Sequence, residues 1–219
     1  MVRIFLWDLD GTMIDSGPTI IGSIREALAE CGLPDVPAER ARGCVGPPLI
    51  DGLPRFCDVP LDRLDEIIAA YRTIYATQMT SAPLYPEIPD TLAKAAELGI
   101  INAVATAKPE TAARTILAAH DLTDAFTFIT GADPERGINH KEQVIELCLE
   151  RLSEAGYAGD PLMIGDRSYD MEGARACNID AVFARRGYGE ASEAGDFPAI
   201  DSPTQLLDAP YAATSPTRA

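Results

Sequence analysis

The stretch Asp8-Leu9-Asp10-Gly11-Thr12 directly follows the apolar run Val2 to Trp7. A short apolar run that ends in turn residues reads as a buried strand. Two carboxylates two residues apart then leave the sheet on one side as the chain turns. Gly11 lets the backbone approach a ligand closely, and Thr12 can cap or hydrogen-bond an anion. A buried carboxylate pair is costly unless a metal or a cationic group neutralises it, so this pair marks a candidate site of chemistry.

The residues after this stretch change character. Ser16 suits an N-cap, Pro18 the first turn, and Gly32 the end of a helix whose apolar residues Ile20, Ile21, Ile24, Ala27, Leu28 and Cys31 follow helical spacing. Residues 33–60 are richer in Pro and Gly, including Val45-Gly46-Pro47-Pro48, and predict short helices and loops. A second long helix is expected over about 62–79, with Leu64, Ile67, Ile68, Tyr71, Ile74 and Tyr75 on its apolar face. A span of this length with no strand is too long for an ordinary crossover and reads as an inserted helical unit.

From Leu84 onward helices and strands alternate. Helices are expected over 90–99, 109–120, 141–152 and 169–177, and strands over 100–105, 126–129, 161–165 and 181–184. This alternation implies a parallel sheet covered on both faces, with ligands bound beyond the carboxyl ends of the strands. The expected fold is therefore α/β. It has a doubly wound, Rossmann-like parallel-sheet core (1–15 and 83–208) and an inserted α-helical cap (16–82). The tail 209–219 has little to pack and is expected to fray.

Three further features fall at strand ends or helix starts. Thr106-Ala107-Lys108-Pro109 follows the strand 100–105, where a hydroxyl and backbone N–H groups can bind phosphate oxygens, although a Thr there can equally be an ordinary N-cap. Lys141 opens the next strong helix; a lone Lys is usually a solvated surface residue. The chain, however, has only three Lys, and two of them, Lys108 and Lys141, stand at candidate site positions. Lys is a compact cation suited to neutralising a carboxylate and a phosphate together. Gly165-Asp166-Arg167-Ser168-Tyr169-Asp170 follows the strand 161–165. An acidic residue at a strand end, with a second one turn on, suits a hard cation such as magnesium, and the alternative is a helix capped by Ser168.

Composition bounds the function classes. The 219 residues carry a formal charge of −16, which argues against nucleic acid and acidic membrane surfaces as partners. No apolar run approaches the roughly 18 residues needed to span a membrane. Asp8 interrupts the N-terminal apolar run short of a signal-peptide core, so a cytoplasmic location is expected. The five cysteines, Cys31, Cys44, Cys57, Cys148 and Cys177, form no Cys-x-x-Cys and read as free structural thiols.

Taken together, Asp8 to Thr12, Thr106, Lys141 and Gly165 to Asp170 occur in an order that resembles the haloacid dehalogenase superfamily. That superfamily carries Asp-x-Asp-Gly-Thr, a Ser/Thr after a strand, a Lys, and Gly-Asp-x-x-x-Asp. Softer likenesses point to its helical-cap, phosphoglycolate-phosphatase-like and 5′-nucleotidase-like branch. They are Val45 to Leu49, Thr106 to Pro109, Lys141 with Val144-Ile145, and Met163 to Arg167 with Gly187-Tyr188-Gly189. Two departures are Trp7 before the first motif and Glu87 after Tyr85-Pro86.

The resemblance implies a magnesium-dependent phosphatase with Asp8 as nucleophile and Asp10 as acid and base. Magnesium would be held by Asp8, the Asp10 carbonyl, Asp166 and Asp170. Thr106 and amides near Gly11 and Ala107 would hold phosphate oxygens with Lys108, and Lys141 would balance charge. In the cap, Arg42 and Arg55 flank the Gly-Pro segment, and Arg42 is the candidate for a second anionic group on a small phosphorylated metabolite. Asp10 argues against the dehalogenases, which lack it. A sugar-phosphate mutase also needs both aspartates and stays open, as does the oligomeric state, monomer or homodimer. A phosphoaspartate signalling receiver shares the residue types but carries its phosphoacceptor on a later strand and has no helical insertion.

Overall fold

A computed structural model describes residues 2–208 and 210–212. Strand β1 (Val2–Trp7) is followed by α1 (Gly17–Glu30), α2 (Ala38–Ala41), α3 (Leu49–Cys57), α4 (Leu64–Gln78) and α5 (Ile88–Glu97). Then come β2 (Ile101–Pro109), α6 (Glu110–Ala119), β3 (Ile129–Ala132), α7 (Lys141–Glu154), β4 (Gly159–Gly165), α8 (Ser168–Ala176), β5 (Asp180–Ala184) and β6 (Ala199–Ile200). The six strands lie in the order β3-β2-β1-β4-β5-β6, and every neighbouring pair is parallel. This is the doubly wound, Rossmann-like α/β fold.

The alternation of side chains along β1 builds two cores at once. Phe5 and Trp7 join Val104, Ile164 and Val182 under α5 and α6 on one face. Ile4 and Leu6 join Ala103, Met163 and Phe183 under α7 and α8 on the other. A third apolar cluster lies wholly within the helical segment after β1, from Ile20, Ile24 and Leu28 of α1 to Ile67, Tyr71 and Tyr75 of α4. Trp7, unusual for its motif, is fully buried; its indole N–H donates to Asn102 Oδ1 at 3.0 Å and its ring stands edge-on to Phe5. Glu87, the other departure, pairs with Arg186 at 2.7 Å.

The expected elements shift in four places. The strand placed at 126–129 runs over Ile129–Ala132, because Phe126 packs inward from a short 3-10 turn. Two-residue β6 has too short a pattern to read. Strand β2 extends to Pro109, so Thr106 to Lys108 belong to the strand, not to a helix start. Of the tail, Pro210–Ala212 are described: Tyr211 and Ala212 pack on the core and the Tyr211 carbonyl accepts from Arg3 Nε at 2.9 Å. Residues 209 and 213–219 lie outside the described residues. No helix among the described residues is long and apolar enough to cross a membrane.

Candidate active site

The strand order reverses direction at β1 and β4, the two central strands, and the side chains that leave their carboxyl ends meet there. Asp8 follows β1 and its N–H bonds the Ile164 carbonyl of β4 at 2.8 Å. Asp8, Asp166 and Asp170 are all buried, with one carboxylate oxygen of each within 4.8 Å of the others. Three such charges in the interior call for cations.

Lys141 supplies one. Its Nζ lies 2.7 Å from Asp8 Oδ1 and 2.7 Å from Asp170 Oδ1, and donates to the Ala105 carbonyl at 3.1 Å. At 5% exposure it is no surface lysine. Burial opposes its charge, yet Asp170 and Asp8 overrule burial and hold its pKa above the ordinary value. Asp170 Oδ1 meets the Lys141 ammonium as an ion pair at 2.7 Å in the buried site. Burial first, then Asp170 and Asp8, raise the pKa of Asp166 well above the usual carboxylate range. Burial also pushes Asp170 up to about 6 against the pull of Lys141.

The backbone around Asp166 fits it closely. Oδ2 accepts the Tyr188 N–H at 2.7 Å and Oδ1 the Thr12 hydroxyl at 3.2 Å. Gly11 has φ +81°, and a Cβ there would strike the Asp166 carboxylate, as would one at Gly187. Asp170 sits in the first turn of α8, where Oδ2 accepts the Arg167 N–H at 3.0 Å, so the helix starts from Arg167 and not from a Ser168 cap.

The remaining expected residues divide. Thr106 is 1% exposed at the end of β2 and caps no helix; its hydroxyl accepts the Lys108 N–H at 3.3 Å. The Asp10 carboxylate meets Ser16, whose hydroxyl donates to Oδ1 at 2.6 Å, and Lys108 Nζ, 3.0 Å from Oδ2. Ser16 thus stands at the N-cap position of α1 but gives its hydroxyl to Asp10.

Lys108 is buried between Asp10 and Tyr75 of α4. Arg42 is turned to Tyr188, with its guanidinium 5.6 Å from the ring centroid, and Arg55 lies over Phe56. A cleft of about 220 Å³ opens beside Lys141 and Ala107, with Gly46 and Pro48 on one side and His140, Tyr169 and Glu172 on the other.

Two residues escaped sequence reasoning. Arg167 is buried, donates to the Val45 carbonyl of the helical segment and pairs with Glu193 at 3.0 Å. Tyr188 donates its hydroxyl to Asp15 Oδ1 at 2.5 Å and accepts the Gly17 N–H at 2.5 Å. It thereby ties the loop that holds Asp166 to the chain entering α1. Both lie inside quoted motifs, but nothing local announces their distant partners. The cysteines are free among the described residues; Cys44 and Cys57 meet Sγ to Sγ at 3.6 Å.

Comparison with known proteins places this geometry. The tyrosine-protein kinase PtkA of Mycobacterium tuberculosis is 35% identical over 190 residues, covering 86% of this chain. The chain spans 64% of PtkA's length. A 5′-nucleotidase of Pseudomonas aeruginosa is 31% identical over 189 residues, 86% of this chain and 85% of that protein. A phosphoglycolate phosphatase of Pectobacterium atrosepticum is 29% identical over 215 residues, 94% of this chain and 88% of that protein. The crystal structure of a predicted phosphatase from Clostridium acetobutylicum superposes with a TM-score of 0.86 at 27% identity, covering 94% of this chain and 96% of the other. The pattern that defines the haloacid dehalogenase-like hydrolases matches residues 5–184. The chain belongs to the haloacid dehalogenase-like hydrolase family.

Proposed function

We propose that this protein is a magnesium-dependent phosphomonoester hydrolase that works through an aspartyl phosphate on Asp8 and acts on a small phosphorylated metabolite. The observation that carries the reading is the Asp8–Lys141 pair at 2.7 Å beside buried Asp166 and Asp170, with Asp10 two residues on. The names of the relatives, phosphoglycolate phosphatase and 5′-nucleotidase, support phosphoglycolate or a nucleoside 5′-monophosphate as the substrate.

The residues fit magnesium by donor type, all hard oxygens, and by charge, since three buried carboxylates share one lysine. Asp8, Asp166, Asp170 and the Asp10 carbonyl would hold it. Bound magnesium supplies charge neutralisation and polarisation of the phosphoryl oxygens.

In the first half-reaction an Asp8 oxygen forms a bond to phosphorus as the bond to the leaving oxygen breaks, and Asp10 gives that oxygen its proton. In the second, water attacks phosphorus, Asp10 takes up the water proton, the phosphorus–Asp8 bond breaks, and inorganic phosphate leaves. The Thr106 hydroxyl and Lys141 hold and balance the phosphoryl oxygens, so positioning and electrostatics carry most of the rate.

The test is phosphate release with magnesium across phosphoglycolate, nucleoside monophosphates, sugar phosphates and phosphotyrosine, wild type beside Asp8→Asn, each with and without chelator. Wild type should release phosphate only with metal, and the variant should release none. A phosphorylated sugar isomer formed without free phosphate would instead show a mutase. Turnover by Asp8→Asn would overturn the nucleophile assignment.

A further inference from the structure

Both oxygens of Asp10 are held by groups at the boundary between the sheet core and the helical segment. Ser16, at the entry to α1, donates to Oδ1 at 2.6 Å. Lys108 Nζ stands 3.0 Å from Oδ2 and also donates to the Tyr75 hydroxyl at 2.9 Å. Tyr75 lies in α4, stacked on Tyr71 with centroids 5.3 Å apart, and Lys108 Nζ lies 4.4 Å from the Tyr75 ring centroid.

Lys108 reaches this place through a bulge. The pairing of β2 with β3 passes from Thr106–Gly131 to Pro109–Ala132, so Ala107 and Lys108 are extra residues on β2. Bulges of this kind re-aim side chains beside sites. Gly131 admits the bulge, because a Cβ there would come 2.5 Å from the Lys108 carbonyl.

We infer that Lys108 is a positioning residue for Asp10 rather than a phosphate ligand, and that Tyr75 makes this positioning depend on the helical segment being seated on the core. Two contacts on opposite oxygens fix the plane of the Asp10 carboxyl group. A seated Tyr75 fixes the ammonium that makes one of them. The inference rests on the proposed phosphatase reaction, in which Asp10 protonates the leaving oxygen. An acid held out of line costs most where the leaving oxygen needs its proton.

The experiment compares kcat/KM for p-nitrophenyl phosphate, whose leaving group departs readily as an anion, with kcat/KM for an alkyl phosphate. This parameter reads the reaction only as far as departure of the leaving group, so the later base role of Asp10 drops out. Lys108→Met should lower the alkyl value about 10²-fold more than the aryl value, within the range of acid–base contributions. Tyr75→Phe, which keeps the ring, should lower the alkyl value several-fold and leave the aryl value unchanged.

Equal losses on both substrates would mean phosphate binding or general structure and overturn the inference. So would faster alkyl turnover, which is the sign expected if the ammonium acted only by disfavouring protonated Asp10. Should Lys108→Met fail to fold, Tyr75→Phe decides: selective alkyl loss supports the inference, while uniform loss or no change overturns it. Wild-type protein inactive on every phosphate ester would instead refute the phosphatase reading itself.

Discussion

Replacing Asp166 by Asn should make the metal-free protein more stable than wild type and the magnesium-loaded protein less stable. The carboxylates of Asp8, Asp166 and Asp170 lie within 4.8 Å of one another. A like-charge pair at that separation costs about 3–4 kcal/mol at an effective dielectric of 20. Lys141 offsets the charges of Asp8 and Asp170, each at 2.7 Å, whereas Asp166 is met by the neutral donors Thr12 and Tyr188.

Protonation limits what Asp166 can cost, since burial and its acidic neighbours raise its pKa. That leaves a net penalty of about 1–3 kcal/mol in the metal-free fold. Asn removes it at little loss, because its oxygen can still accept the Tyr188 N–H and the Thr12 hydroxyl can turn to accept from its amide. For a chain of this size the melting temperature should rise by about 2–10 °C in chelator. With magnesium at a thousandfold its dissociation constant, wild type gains about 4.1 kcal/mol and the variant, short of a ligand, gains little, so the order inverts.

The pH dependence has a fixed sign. A carboxyl group whose folded pKa is raised costs stability wherever the unfolded group would be ionised, because the fold must then either hold the proton or bury the charge. Its penalty is absent below the unfolded value and grows as pH rises towards the folded value. The advantage of Asp166→Asn in chelator should therefore be full above the raised pKa and fade as pH falls towards the ordinary carboxylate range. Calorimetric scans with chelator and with magnesium settle the matter. A variant less stable than wild type in chelator at pH 7, or the same order under both conditions, would refute the reasoning.

Gly11→Ala should lower magnesium affinity and kcat/KM by about 10² or more, because φ is +81° and the new Cβ meets the Asp166 carboxylate; calorimetric titration of metal against the folded variant checks it. Trp7→Phe should destabilise by about 2–4 kcal/mol, through lost volume and a buried Asn102 oxygen left without its donor. Adding Asn102→Leu should recover part of that loss in a double-mutant cycle, and strictly additive losses would show that the bond carries no coupling.

What could be read from the sequence, and what could not, follows from range. The carboxylates of Asp8 and Asp166 are legible because each sits at the end of an apolar run, and Asp170 because it lies one turn on from Asp166; a parallel sheet brings such ends together whatever the loops do. Lys141 was legible as a helix-opening cation, but its burial between two acids was not, since burial is a property of what packs above it.

Lys108 shows the limit more sharply. Its position beside Thr106 pointed to phosphate, yet two extra residues in β2 turn it to Asp10 and Tyr75. A bulge leaves no mark in the hydrophobic pattern, because residues 106–108 are small or polar at the edge of the buried run. Arg42 follows the same logic in reverse. Its charge near the Gly-Pro segment marks it for an anion, but the ring and carbonyl of Tyr188 offer it a contact 146 residues away. Local sequence therefore places the acidic residues and Lys141 near the strand ends and helix starts of this scaffold. The contacts that seat the helical segment over them, through Lys108, Arg167 and Tyr188, arise where two separately packed cores meet, and only the folded chain brings those partners within reach.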